Sequence, residues 1–248
     1  MKLTKLDTRV IYKESLYKYL DFESSEYIST TYIISDSLKY GSVINLPNGR
    51  SIELSHTTLD IKKSTTGLVV FARRNSIDIV EPSFPVLRDF TYNTYNLEDL
   101  KTIFNKPRLI GVILLRLGRF ALAVLENEQI IASKTEGRYV KNRHKAGGSS
   151  QRRFERSRER LVRELFDKSC QEMNKLFEGY FDRMDHIFLG GERHTLNGLK
   201  KRCSSILNHE YKIMDRLLDI SIPNQKALSV ISRQVYSSNI STYDLVDD

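Results

Sequence analysis

The rhythm of apolar and polar positions changes along this chain. Residues 1–65 are rich in Ser, Thr and Tyr and carry short extended runs at 30–34, 42–46 and 51–54, with Pro47, Asn48 and Gly49 where a hairpin turn belongs. Residues 66–72 (TGLVVFA) predict a further strand, and 77–80 another, before Pro82 and Pro85 interrupt regular pairing. Together these predict a small β-rich N-terminal domain over 1–95. A linker and a short helix over 97–104 follow, and Pro107 marks a change of pattern. Beyond it the apolar runs 109–115, 120–125 and 129–134 predict three strands, the last two joined by a turn at 126–128. After a Gly-containing basic loop come a long helix, a strand at 186–189, a helix over 196–209, a strand at 217–222 and a closing helix over 224–237. Three strands followed by helix–strand alternation make this an α/β (α+β) chain: a mixed β-sheet covered by helices in a second domain over 107–248.

The long helix separates by phase. At 100° per residue, Phe154, Leu161, Val162, Leu165, Phe166, Met173, Leu176 and Phe177 fall within about 160° of one another, which assigns them to the core. Arg152, Arg156, Arg160 and Arg163 gather on the opposite side as an arginine stripe.

Charge sharpens that picture. The chain has 248 residues, a net charge of +8 and 40% apolar residues, enough to build a core. Between Lys134 and Arg163 stand eleven Lys or Arg against three Glu, a surplus equal to the net charge of the whole protein. A neutral body with one cationic region is what a nucleic-acid or phosphate binder looks like. The longest uncharged apolar run, 109–115, is far shorter than the ~20 residues of a membrane span, and the first residues lack the apolar stretch of a secretory signal. No membrane is expected as a partner, and the cytoplasm is the expected setting. Cys170 and Cys203 have no neighbouring ligand residues, and His194 and His209 lack paired ligands, so neither a disulfide framework nor a bound metal is expected, nor any cofactor.

The candidate chemistry lies in the loop before the long helix, Arg138-Tyr139-Val140-Lys141-Asn142-Arg143-His144-Lys145-Ala146-Gly147-Gly148-Ser149-Ser150-Gln151-Arg152-Arg153. Gly147 and Gly148 let the backbone approach a ligand without a Cβ in the way. Ser149 and Ser150 are good helix caps beside N–H groups that suit phosphate or a developing oxyanion. A phosphate-binding Gly-x4-Gly-Lys-Ser/Thr pattern is absent. Gln151 can both donate and accept hydrogen bonds without carrying a charge that RNA phosphates would repel, so it can orient a water. On spacing alone it also reads as the first polar residue of a helix. Arg138, Lys141, Arg143, His144 and Lys145 before the glycines, and Arg152, Arg153, Arg156, Arg160 and Arg163 after them, fit contacts with an RNA backbone. His144 has a second reading, as a general base acting on a 2′-OH. Gly190 and Gly191 fit a tight turn after a strand, or a close approach to a ligand.

The run from Arg143 through Gly147-Gly148-Ser149-Ser150-Gln151 to Arg153, with the amphipathic helix after it, resembles the catalytic loop of the release-factor-like peptidyl-tRNA hydrolases of ribosome quality control. These are relatives of the central domain of eukaryotic and archaeal class I translation termination factors. Termination factors carry Gly-Gly-Gln there; the quality-control relatives space the Gln further from the glycines, as this chain does. Looser similarity extends over 66–237, at Gly67-Leu68-Val69-Val70-Phe71, Glu81-Pro82, His186-Ile187-Phe188-Leu189-Gly190-Gly191 and Leu217-Leu218-Asp219-Ile220-Ser221. The resemblance implies a protein that enters the A site of a stalled large ribosomal subunit, contacts rRNA and peptidyl-tRNA, and uses Gln151, with Gly147, Gly148, Ser149 and Ser150 shaping the loop, to place a water for attack on the peptidyl-tRNA ester. Residues 1–65 hold no stop-codon-reading motif, which implies action independent of the codon. Because some relatives are associated with cutting tRNA near its acceptor end, tRNA cleavage is one alternative, and a non-catalytic ribosome or RNA binder is the other.

Overall fold

The computed structural model describes residues 2–46, 49, 51–54, 64–140 and 151–246. In chain order the elements are β1 (Lys2–Tyr12), α1 (Lys13–Phe22), β2 (Ser29–Ile33), α2 (Ser35–Tyr40), β3 (Ser42–Asn45), β4 (Ser51–Leu54), β5 (Leu68–Ala72), β6 (Ser76–Glu81), β7 (Phe90–Tyr92) and α3 (Glu98–Asn105). There follow β8 (Leu109–Arg116), β9 (Arg119–Glu126), β10 (Gln129–Gly137), α4 (Gln151–Phe177), β11 (His186–Gly191), α5 (Arg193–Arg202), α6 (Ser204–Asn208), β12 (Ile213–Leu218), α7 (Gln225–Ser229), α8 (Ile231–Val235) and β13 (Ser237–Val246). The chain forms two compact units, 1–106 with 236–248, and 107–235.

The first unit is an antiparallel sheet in the order β1-β13-β6-β5-β2-β7. Strand alternation decides what each face meets. Leu68, Val70, Ala72, Ile77, Ile79, Tyr243 and Leu245 pack on Leu38 of α2 and on the β3–β4 hairpin through Ile44, Leu46, Ile52 and Leu54. Phe71 lies in the alternate register, against Tyr27 at 5.4 Å between ring centroids. Asp78 shares that register and is fully buried. Its carboxylate accepts hydrogen bonds from Tyr27 Oη (2.5 Å), Arg73 Nη2 (2.7 Å) and Thr242 Oγ1 (2.7 Å), and from Tyr19 Oη at 3.1 Å. Four donors replace the water this charge has lost. Burial, with Asp78 alongside, pushes the Tyr27 phenol well above its ordinary value.

Residues 236–248, expected with the second domain, therefore belong to the first unit. The segment read as one closing helix over 224–237 is two short helices, α7 and α8, followed by β13. That strand inserts between β1 and β6 and satisfies its backbone groups on both sides. β1 and α1 are further elements that the sequence reading did not anticipate.

The second unit is a five-stranded sheet ordered β10-β9-β8-β11-β12. β8, β9 and β10 pair antiparallel, whereas β8, β11 and β12 run parallel, which makes the mixed sheet expected for an α/β chain. β8 and β9 are buried along nearly their whole length, as strands covered on both faces must be. One face carries α4 and α5 over Ile113, Leu115, Leu122, Val124 and Leu189. The helix read as 196–209 breaks at Cys203 into α5 and α6. Cys203 is buried and bonded to Cys170 of α4, with the Cα atoms 5.6 Å apart. This corrects the expectation of no disulfide: the two cysteines are 33 positions apart in sequence, and the return of the chain after β11 brings them together.

Candidate functional site

Gly190 and Gly191 have packing duties. A Cβ on Gly190 would lie 2.6 Å from Leu114 Cδ2 and 3.1 Å from the Leu218 carbonyl oxygen. Gly191 has φ +114°, and a Cβ there would stand 2.2 Å from the Leu115 carbonyl oxygen. A side chain at either position collides with the neighbouring strand, so the close approach is to the protein's own sheet and not to a ligand.

β10 and α4 define the ends of the basic loop. Glu172 on α4 accepts from Lys168 Nζ at 2.6 Å and lies 3.7 Å from Lys134 Nζ of β10. The Lys168 hydrogen bond, helped by the surrounding lysines, holds the Glu172 carboxyl below the usual glutamate range. Arg138, just past β10, donates its N–H to the Gly118 carbonyl in the β8–β9 turn at 2.7 Å. Its guanidinium is 3.4 Å from Glu136. Lys141, Arg143, His144, Lys145, Gly147, Gly148, Ser149 and Ser150 lie outside the described residues.

Gln151 opens α4. Its amide Nε2 donates to Glu155 Oε1 at 3.1 Å, one turn further along, which leaves the carbonyl Oε1 able to accept from a water or an N–H. The i,i+4 spacing of Gln and Glu was the sequence signal for this pair. Along α4 the buried residues are Leu165, Phe166, Ser169, Met173 and Phe177. The 14 positions from 151 to 164 include none of them, a length of about 21 Å at 1.5 Å per residue. Phe154, assigned to the core by phase, is exposed in the structure. Phase tells which side of a helix faces the core but not how far along the axis the core extends.

The stripe residues Arg152, Arg153, Arg156, Arg160 and Arg163 are all exposed. Arg160 is 3.6 Å from Glu164, a solvent-exposed pair worth little. Among the described residues, Arg152, Arg153, Arg156 and Arg163 have no acidic partner within 4 Å. Val162 is half-buried against the core of this unit, and beside it α4, α5 and the β8–β9 turn line a half-open groove of about 750 Å³, with Leu117, Arg158, Phe166, Gly198 and Lys201 among its walls. Gln151 stands seven residues, about 10 Å, beyond Arg158 on the groove rim. Gly198 permits the contact of α5 with α4, since a Cβ there would meet the Phe166 ring at 2.6 Å. Among the described residues, no three His, Cys, Asp or Glu side chains cluster as a metal site, and no helix is long and apolar enough to cross a membrane.

Sequence comparison extends this picture. Peptide chain release factor subunit 1 of Methanosphaera stadtmanae is 30% identical over 114 residues, 45% of this chain and 28% of that protein. The Archaeoglobus fulgidus protein of the same name is 26% identical over 154 residues, 61% of this chain and 37% of its own length. The chain thus matches well under half of these relatives. Among solved structures, the archaeal translation termination factor aRF1 aligns over 91% of this chain and 73% of its own, with a TM-score of 0.39 at 14% identity. Archaeoglobus fulgidus Pelota aligns over 95% and 66%, with a TM-score of 0.31 at 10% identity. A family model described as the Actinobacteria/Chloroflexi VLRF1 release factor matches residues 108–241, more than half of the chain and nearly all of the unit that bears Gln151. On that match the chain belongs to the VLRF1 release-factor family.

Proposed function

We propose that this protein works in translation termination or ribosome rescue, and that it releases nascent chains by hydrolysing the peptidyl-tRNA ester in the peptidyl transferase centre of the large subunit, independently of the codon. The carrying observation is the placement of Gln151: a neutral amide at the first turn of a helix whose leading 14 residues hold no buried side chain, on a shaft of exposed arginines. Such a shaft suits entry into an RNA-walled site, because Arg152, Arg153, Arg156 and Arg163 have no acidic partner among the described residues and phosphate can neutralise them. The Glu155 carboxylate holds the Gln151 amide nitrogen, and the free carbonyl oxygen accepts from the attacking water and aligns it with the ester carbon. The ester is already activated, so orientation and electrostatic stabilisation supply the catalysis and no strong base is required. On this reading Arg138 and the arginines of α4, with Lys141, Arg143, His144 and Lys145, bind rRNA and tRNA backbone. Gly147, Gly148, Ser149 and Ser150 shape the approach, and the reaction takes place in the cytoplasm.

The test is incubation of the full-length protein with large subunits carrying labelled peptidyl-tRNA, with peptide and tRNA resolved on one gel. Free peptide with full-length tRNA is expected. Shortened tRNA would replace ester hydrolysis by tRNA cleavage, and stable binding with neither product would leave a non-catalytic binder.

A further inference from the structure

We propose that the groove between α4 and α5 receives the unpaired 3′ end of the tRNA whose ester is cleaved at Gln151, with a base against its apolar side and a phosphate at Lys201. The inference rests on the release reading above and names the part of the substrate that this unit grips. The groove and Gln151 share one stripe of α4. At 100° per residue, Gln151, Glu155, Arg158, Val162 and Phe166 lie within about 80° of one another. The last three line the groove. Along the helix axis Gln151 precedes Arg158 by about 10 Å and Val162 by about 16 Å. An RNA end seated in the groove and following that stripe therefore arrives at the amide, while the arginine stripe runs beside it on the next face of the helix.

The walls select the ligand. A volume of about 750 Å³ is that of a site for a small ligand or one or two units of a chain, not for a folded partner. Leu117, Val162, Phe166 and Leu207 give the groove an apolar side, and Leu117 and Leu207 are exposed. Its two acids are already engaged: Glu192 accepts from Thr195 Oγ1, and Glu210 lies 3.4 Å from Lys200 Nζ. Lys201 is exposed and, among the described residues, has no acidic partner within 4 Å. The charge left over is thus cationic and stands beside apolar surface. A nucleotide carries both complements, a phosphate and the apolar face of a base. A protein partner fits less well, since the apolar core of a protein–protein interface is depleted of charge. Bases in a duplex are stacked on one another and hidden, so the RNA that enters is unpaired.

The experiment is a fluorescence titration of the full-length protein with two labelled RNA hairpins that copy a tRNA acceptor stem, one ending in the unpaired 3′ nucleotides and one cut flush. Wild type is expected to bind the overhanging hairpin about fivefold or more tightly than the flush one. Asn197 is an exposed α5 residue on the groove wall. Asn197→Trp fills the groove without changing charge, and is expected to abolish the preference while leaving affinity for the flush hairpin as in wild type. Asn197→Ser keeps the groove open and is expected to keep the preference. Lys201→Gln is expected to weaken binding of the overhanging hairpin and to make its slope of log affinity against log salt shallower by about 0.7. All three variants are expected to melt at the wild-type temperature, since the replaced side chains are exposed. A wild type with no preference overturns the proposal, as does a preference that survives Asn197→Trp, an equal loss in Asn197→Ser, or an equal loss on the flush hairpin. Stronger competition by an acidic, leucine-containing peptide than by the unlabelled overhanging hairpin would give the groove to a protein and overturn it too. No hydrolysis is read in this assay, so its failure leaves the proposed release activity standing, and loss of the release reading leaves the binding result intact.

Discussion

Removing charge from the arginine stripe provides a quantitative handle on whether α4 enters RNA. Arg156 and Arg163 are exposed and, among the described residues, have no acidic partner within 4 Å, so Arg156→Gln/Arg163→Gln disturbs no internal ion pair. Gln is nearly as good a helix former as Arg, so the shaft should persist. If both guanidiniums contact phosphate, the double variant releases two fewer counterions, and the slope of log affinity against log salt becomes shallower by about 1.4 to 1.8. Between 50 and 200 mM salt, a fourfold change, the wild type would then lose roughly tenfold more affinity than the variant. The assay is equilibrium binding to isolated large subunits over that range, with far-UV circular dichroism to confirm that helix content is unchanged. Parallel slopes for the two proteins would refute the reasoning and leave the stripe as a solvated face.

Three structural predictions test the scaffold. Gly191→Ala places a Cβ 2.2 Å from the Leu115 carbonyl oxygen at φ +114°, and chemical denaturation should show a loss of about 3 kcal/mol. Asp78→Ala removes the acceptor of four hydrogen bonds and leaves the Arg73 guanidinium with only its longer ion pair to Glu23 at 3.3 Å, which should cost about 3 kcal/mol in the first unit. The Cys170–Cys203 bond closes a loop of 33 residues, and loop-closure entropy gives it a worth of about 3.7 kcal/mol. A reductant should lower the melting point of the wild type toward that of Cys170→Ala, and should leave the variant itself unmoved.

Most of the second unit was legible because its signals are local. β8 and β9 are apolar runs bounded by charge and turn residues, and α4 announces itself by phase and by its basic start. β1 and β13 were illegible for the opposite reason. β1 is an exposed edge strand with mixed polarity, its partner lies at the other end of the chain, and the pairing Tyr12↔Ser237 leaves no trace in either segment alone. The Cys170–Cys203 bond was hidden in the same way, since only the tertiary return of α5 brings it about. At the candidate site the residue types suggested an orienting amide and a cationic shaft. The Gln151–Glu155 hydrogen bond had only its i,i+4 spacing as a signal, and the point along α4 where full burial begins, Leu165, is set by tertiary packing that the phase of the helix does not encode.

The central claim is that one side-chain amide at the tip of α4 aligns the attacking water. Single-turnover release of labelled peptide, measured at saturating protein for wild type and Gln151→Ala on the same subunits with bound protein quantified in parallel, tests it most directly. The expected result is a fall in rate of about a hundredfold or more with occupancy unchanged. Equal rates at equal occupancy would contradict it.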